Sequence, residues 1–220
     1  MIQYMRREKT LFECIRDIQF RQGEVTSENE NTVSSGSEIE EISDEMKVER
    51  KSFPFLKLDS NDQIYQEIFN FKFAVASDGG CKKDKASAAI LFELDGKLKT
   101  IKKKDELRTT CGPATKAQLL EVLAVKNAIE LIIKNKLIEH EIAMIIDSSY
   151  AASKVAEIFS WKEKEFKKYD GSPAKHIETW KEIYNLINEH QLQLHVIKVK
   201  SHTNFLLNDL ADGLANQGGC

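Results

Sequence analysis

The chain has 220 residues, and none of its apolar runs reaches the roughly 18–20 residues that a membrane span requires. Its opening, Met1-Ile-Gln-Tyr-Met-Arg-Arg-Glu-Lys9, lacks the apolar core of a secretory leader, so none is expected. Glu8, Glu13 and Asp17 interrupt the basic residues there, which argues against an organelle-targeting peptide. Cysteine is scarce and scattered: Cys14, Cys81, Cys111 and Cys220 form no Cys-x-x-Cys pair. That argues against a thiolate zinc site and a disulfide framework, and for a reducing intracellular compartment, cytoplasmic or nuclear. No internal repeat is present.

Residues 24–46 lack any basic or aromatic side chain and carry eight acidic ones. Such a segment cannot bury enough apolar surface to order itself, so a disordered linker is expected. Before it, Leu11, Phe12, Ile15 and Ile18 recur at helical spacing and permit a short amphipathic helix. After it, residues 47–70 are transitional, with Phe53-Pro54-Phe55-Leu56 and Ile64-Tyr65 expected to pack on a domain edge. The net charge of −3 averages two unlike pieces. Residues 1–66 hold nine Lys/Arg against fourteen Asp/Glu, and residues 67–220 hold twenty-three against twenty-one. The chain therefore reads as an acidic, largely disordered extension over 1–66 and one α/β domain over 67–220. The domain tolerates a polyanion without being a strongly basic clamp.

From Phe71 a regular pattern begins. Apolar runs at 73–81, 86–94 and 97–103 predict strands, with Asp95-Gly96 as a hairpin turn. A helix over about 115–134, a buried strand at 142–147, helices at 149–166 and 176–190, a strand at 192–199 and a last helix at 206–216 follow. Four carboxylates stand at notable points of this pattern. Asp78 closes Phe73-Ala-Val-Ala-Ser-Asp78, and Asp147 closes Ile142-Ala-Met-Ile-Ile-Asp147. Glu121 lies in the apolar stretch Leu119-Leu-Glu-Val-Leu-Ala124, and Asp212 follows His202 by ten residues. Carboxylates in apolar surroundings are costly to ionise unless a cation compensates them. Several converging on one point suggest a hard divalent ion, Mg²⁺ or Mn²⁺. The bland alternative is that each caps a helix or sits on a solvated edge, as Asp147-Ser148 could.

These segments resemble the type 1 ribonuclease H family, whose members cleave the RNA strand of RNA–DNA hybrids. Asp78-Gly-Gly-Cys81 resembles its first-strand Asp-Gly-Ser-Cys, and Gln118-Leu-Leu-Glu121 its helix motif. Asp147-Ser148-Ser149-Tyr150 resembles its Asp-Ser-x-Tyr, and His202 with Asn208-Asp-Leu-Ala-Asp212-Gly-Leu-Ala215 its histidine loop and last helix. The resemblance runs from about Phe71 to the C-terminus. It implies a ribonuclease H-like α/β fold, a mixed five-stranded sheet flanked by helices. It implies two Mg²⁺ ions, for which Mn²⁺ can substitute, with Asp78 bridging both and Glu121, Asp147 and Asp212 completing the ligands. Two such ions about 4 Å apart activate a water and stabilise the leaving oxyanion of a phosphodiester, giving 5′-phosphate and 3′-hydroxyl ends. His202 would move a proton to the leaving oxygen or assist product release. Asp209, three residues before Asp212, reads instead as a first-turn residue complementing the helix dipole.

The resemblance extends to substrate contacts. Trp161-Lys-Glu-Lys-Glu-Phe166-Lys-Lys-Tyr through Pro173, Lys175, His176 and Trp180 resembles the basic protrusion of cellular members. Trp161, Phe166 and Lys167 would line a channel for the DNA strand, rings against sugars and lysines on phosphates. The competing reading is a helix–loop–helix with aromatics packed inward, accepted for Trp180. Gly79, Gly80, Cys81, Gln118 and Ser149 would face the minor groove, where 2′-hydroxyls mark RNA; the glycines read equally well as a turn after the strand. Three positions depart from the family pattern. Lys82-Lys83-Asp84-Lys85 replaces its Gly-rich turn, His176 stands where an asparagine often holds a DNA phosphate, and Ser201 replaces a glycine. The expected partner is an RNA–DNA hybrid bound by a monomer, with the extension available to a protein partner. A catalytically weak hybrid-binding module of a replication or retroelement machine, and a junction nuclease on the same fold, are the alternatives.

Overall fold

The computed structural model describes residues 52–81, 85–95, 100–201 and 203–217. The expected linker, the expected N-terminal helix, Gly96, Lys82, Lys83 and His202 lie outside the described residues. The described strands are β1 (Phe55–Leu58), β2 (Phe73–Gly80), β3 (Ala86–Asp95), β4 (Thr100–Thr110), β5 (Glu141–Ile146) and β6 (Gln193–Val199). They form one sheet in the order β1-β6-β5-β2-β3-β4. β2, β3 and β4 are antiparallel neighbours, while β2–β5, β5–β6 and β6–β1 are parallel. Six helices are described: α1 (Asn61–Ile68), α2 (Ala117–Lys134), α3 (Ser149–Ala156), α4 (Ile158–Glu163), α5 (Ile177–Glu189) and α6 (Leu206–Ala215).

Central strands covered on both faces read as continuous apolar runs rather than alternating ones, and β2 and β5 do so because helices lie on each side. Phe73, Val75, Ala89, Leu91, Ile142, Met144 and Ile146 join one core with residues of α2, α3, α4 and α5. The alternate side chains face the other way, where α6 packs on β2 and β3. α1 joins that side through Tyr65, whose ring stands 5.1 Å from Phe205 just before α6. Asn127 of α2 is buried, donates to Ser87 Oγ and the Ser87 carbonyl at 3.1 Å each, and accepts from Thr109 Oγ1 at 3.0 Å. This polar knot sets the register of α2 against β3 and β4.

The sheet has six strands, one more than the five expected. The extra strand, β1, pairs with β6 from Phe55↔Val196 to Leu58↔Val199. Its four residues show no alternation to read, and Pro54 precedes them. The edge packing of this segment is present: Phe53, Ile64 and Tyr65 are buried, and Phe53 N–H donates to the Ala156 carbonyl at 2.8 Å. Ordered structure thus begins upstream of residue 67, and position 66 falls inside α1. The single helix expected over 149–166 is two, α3 and α4, broken at Glu157. Val155, Ala156 and Ile158, which flank the break, are all buried.

Candidate active site

β2 and β5 run parallel in register from Phe73↔Ile142 to Ser77↔Ile146, so Asp78 and Asp147 emerge side by side just past the last pair. Ser148 caps α3, accepting from the Ala151 N–H at 3.3 Å, which leaves the Asp147 carboxylate for the cluster. Glu121 comes from α2, one turn in from its start. Gly79 lets that helix descend: a Cβ there would lie 2.6 Å from the Glu121 nitrogen and 2.7 Å from the Leu120 carbonyl carbon. Neither glycine lies in a turn; Gly79 and Gly80 both belong to β2.

Asp78, Glu121 and Asp147 each place a carboxylate oxygen within 4.8 Å of the other two. Asp78 is buried, at 6% exposure, and the other two are half-buried. Burial pushes the Glu121 carboxyl up to about 8, and the charges of Asp78 and then Asp147 push the same way. The Gly79 N–H, hydrogen-bonded to that carboxylate, opposes the shift. Mutual repulsion in a poorly solvated site is the condition a divalent cation relieves, and three hard oxygen donors suit Mg²⁺ or Mn²⁺. The donor set therefore fits a divalent metal.

Asp212 does not belong to this group of three. It lies on α6, half-buried, with Oδ1 accepting from Asn216 Nδ2 at 2.8 Å. Asp209 stands in the first turn of α6, where its charge complements the helix dipole.

The expected substrate contacts divide. Cys81 and Ser149 are exposed and Gln118 half-buried, each next to a residue or turn of the cluster. Gly80 is buried beneath α6, with Ala215 and Asn216 filling the place of a side chain, so it offers no face to a ligand. Trp161 and Phe166 are each 5% exposed and belong to the core, so neither presents its ring to a DNA sugar. Their rings meet edge to face at 5.3 Å, Trp161 meets Trp180 likewise at 5.6 Å, and Trp161 Nε1 donates to the Lys167 carbonyl at 3.0 Å. The inward-packed reading holds for all three aromatics because the protrusion is too small to fold without a core of its own. Lys167 is exposed and ion-paired with Glu165. His176 sits at the start of α5 in a left-handed conformation, φ 58°. Burial, and then Lys175 and Lys116, hold its imidazole below the usual histidine range.

What the protrusion builds is a basic hollow of about 330 Å³, lined by Gln118, Tyr150, Lys154, Lys167, Lys168 and Lys175 among others. Lys154, whose Nζ lies 4.5 Å over the Trp161 ring, was not singled out by sequence reasoning. Its signal, a lysine one helical turn past Tyr150, is too common to stand out. A larger hollow of about 470 Å³, lined by Phe69, Phe71, Lys72, Leu94 and Lys102 among others, lies at the opposite end of β2 from Asp78. Among the described residues, no helix is long and apolar enough to cross a membrane.

Residues 71–219 match the RNase H family. Over 153 residues the chain is 32% identical to the ribonuclease HI of Caulobacter vibrioides, covering 67% of this chain and 92% of that enzyme. A chain of the foamy viral protease-reverse transcriptase, solved in complex with dsDNA, aligns with a TM-score of 0.53 at 23% identity, covering 69% of this chain and 96% of that one. LC9-RNase H1, described as a type 1 RNase H with the type 2 active-site motif, aligns with a TM-score of 0.52 at 18% identity, over 64% of this chain and 69% of its own. At those identities the two structures speak for the fold alone. The family match covers β2 through α6, including all three clustered carboxylates, and the chain belongs to the RNase H family.

Proposed function

We propose that this chain is a type 1 ribonuclease H, an endonuclease that hydrolyses the RNA strand of RNA–DNA hybrids to 5′-phosphate and 3′-hydroxyl ends. The observation that carries the reading is the convergence of Asp78, Glu121 and Asp147 within 4.8 Å at the carboxyl ends of β2 and β5. Family membership supports it.

Asp78, Glu121 and Asp147 would hold divalent metal, with Asp212 as the fourth carboxylate. Mg²⁺, or Mn²⁺ in its place, supplies an activated water and a counter-charge for the leaving oxyanion when bound. His202 delivers the proton to the leaving 3′ oxygen. Gln118, Cys81 and Ser149 meet the RNA sugars in the minor groove, where an amide and a hydroxyl can pair with 2′-hydroxyls. Lys154, Lys167, Lys168 and Lys175 take DNA-strand phosphates in the basic hollow, with His176 at its margin. The chain acts as a monomer in a reducing compartment, cytoplasmic or nuclear, with its catalytic domain extended upstream of residue 67 to take in Phe53, β1 and α1. The part of the expected extension that precedes Phe53 is available to a protein partner.

Position of Asp212 outside the group of three favours the second reading, a catalytically weak hybrid-binding module. Cleavage separates them. The parent should cut hybrid in Mg²⁺ and leave double- and single-stranded RNA intact, and Asp78→Asn should still bind hybrid but lose cutting by several kcal/mol of barrier, about a thousandfold or more. Hybrid binding by a parent that cuts nothing at any Mg²⁺ concentration selects the module. Cleavage by Asp78→Asn within about tenfold of the parent removes Asp78 from the ligand set.

A further inference from the structure

Asn216 follows α6, one turn beyond Asp212, and its side chain folds back onto that turn. Nδ2 donates to Asp212 Oδ1 at 2.8 Å and to the Asp212 carbonyl at 3.0 Å. Both partners are acceptors, so only the amide orientation with its nitrogen toward Asp212 makes either bond. Oδ1 of Asn216 is thereby turned into the protein, where it is buried without a hydrogen-bond partner. Leaving a buried carbonyl oxygen unpaired costs stability. Closing the helix does not require that cost, because the backbone N–H of Asn216 already donates to the Asp212 carbonyl at 2.9 Å. Room for the amide comes from Gly80, where a Cβ would stand 2.8 Å from Asn216 Oδ1 and 2.7 Å from the Ala215 carbonyl carbon. Gly80 lies two residues beyond Asp78 on the same strand, hence on the same face of the sheet. The missing side chain that seats Asn216 therefore also brings the Asp212 turn of α6 onto the strand that carries Asp78.

We propose that Asn216 is a positioning residue for Asp212: its amide takes Oδ1, fixes the carboxylate rotamer and leaves Oδ2 as the ligand oxygen. This rests on the metal-dependent reading above. A residue that orients a ligating carboxylate is worth about 10–100-fold in metal affinity or activity. A residue that merely ends a helix alters melting temperature and leaves metal affinity alone.

Calorimetric titration of the full chain with Mn²⁺, without nucleic acid, tests this on the parent, Asn216→Ala and Asn216→Leu. Leucine keeps nearly the shape of asparagine and removes the donor, so it separates filling from hydrogen bonding. Both variants should bind Mn²⁺ about tenfold more weakly, or lose one of two binding events, and show lower kcat with unchanged KM for hybrid. Unchanged Mn²⁺ affinity with only a lower melting temperature overturns the proposal, as does failure of both variants to fold. Tighter binding overturns it in the opposite sense, since Asn216 would then hold Asp212 away from the ions. A parent that takes up no Mn²⁺ overturns the metal-dependent reading as well, whereas a binding parent matched by both variants overturns this proposal alone.

Discussion

Exchanging Glu121 for glutamine should stabilise the metal-free protein while weakening its response to Mg²⁺. In the fold the Glu121 carboxyl is pushed from an ordinary 4.5 to about 8 by burial and by its two carboxylate neighbours. Folded protein therefore keeps a proton that the unfolded chain releases, and raising pH between those values favours unfolding. Below about pH 4.5 both states are protonated and Glu121 makes no difference. At pH 7 the unfolded chain is about 2.5 units past its midpoint, and at ~1.36 kcal/mol per unit the penalty is about 3 kcal/mol. It rises toward a ceiling of about 5 kcal/mol above pH 8. Glutamine mimics the protonated group at every pH, so Glu121→Gln in chelator should melt higher than the parent by about 6–12 °C at pH 7. The gap should close as the pH falls to about 4.5. Mg²⁺ should then raise the parent's melting temperature more than the variant's, because the variant has lost one of the three clustered charges that the ion offsets and keeps only those of Asp78 and Asp147. Melting temperatures agreeing within about 2 °C at pH 7 and pH 8 in chelator would refute the reasoning, as would a gap that persists undiminished at pH 4.5.

Other outcomes follow from the same geometry. Trp161→Ala removes a side chain only 5% exposed and should cost about 3–5 kcal/mol of stability, measured by urea melts, instead of acting only on KM. Replacing Lys154, Lys167, Lys168 and Lys175 together by Ala should raise KM for hybrid and lower the slope of log affinity against log salt by up to about four, with cleavage at saturation changing far less. Truncating residues 1–51 should leave cleavage and melting unchanged, whereas truncating 1–60 also removes Phe53 and β1. Burial of Phe53 alone is worth about 1.5–3 kcal/mol, so the longer truncation should melt clearly lower, and equal melting would show β1 to be dispensable.

The elements that repeat a clear period were legible without coordinates. Helix α2 and strands β2 and β5 fall within two residues of their expected bounds, and the three clustered carboxylates were all singled out from their apolar settings. β1 was not, since four residues beside a proline carry too little pattern to separate a strand from a loop. The role of Gly79 was not either. A glycine in sequence says only that a side chain is absent, and whether a turn, a ligand or a helix fills the space depends on residues forty positions away. Trp161 and Phe166 show the same limit from the other direction. Aromatics flanked by lysines read as a nucleic-acid surface, but their rings meet each other and Trp180. Trp161, Phe166 and Trp180 turn in while the lysines and Tyr169 of the protrusion face out, and a linear string of residues does not distinguish the two sides.

The register that joins Phe73 to Ile142 links strands about seventy positions apart, while β2, β3 and β4 are sequential hairpin neighbours. Local hairpins close in microseconds, and a parallel pairing across so long a loop comes later and slower because its entropy is spent before its contacts form. Asp78 and Asp147 sit at that junction, so neither the antiparallel half nor the α2 segment alone contains a metal site. Competence to bind an ion should therefore appear with the last pairing of the sheet. A metal-sensitive signal followed during refolding would time the closure of the whole domain, and a chain paused with β5 still to be added would hold hairpins and helix but no catalytic centre.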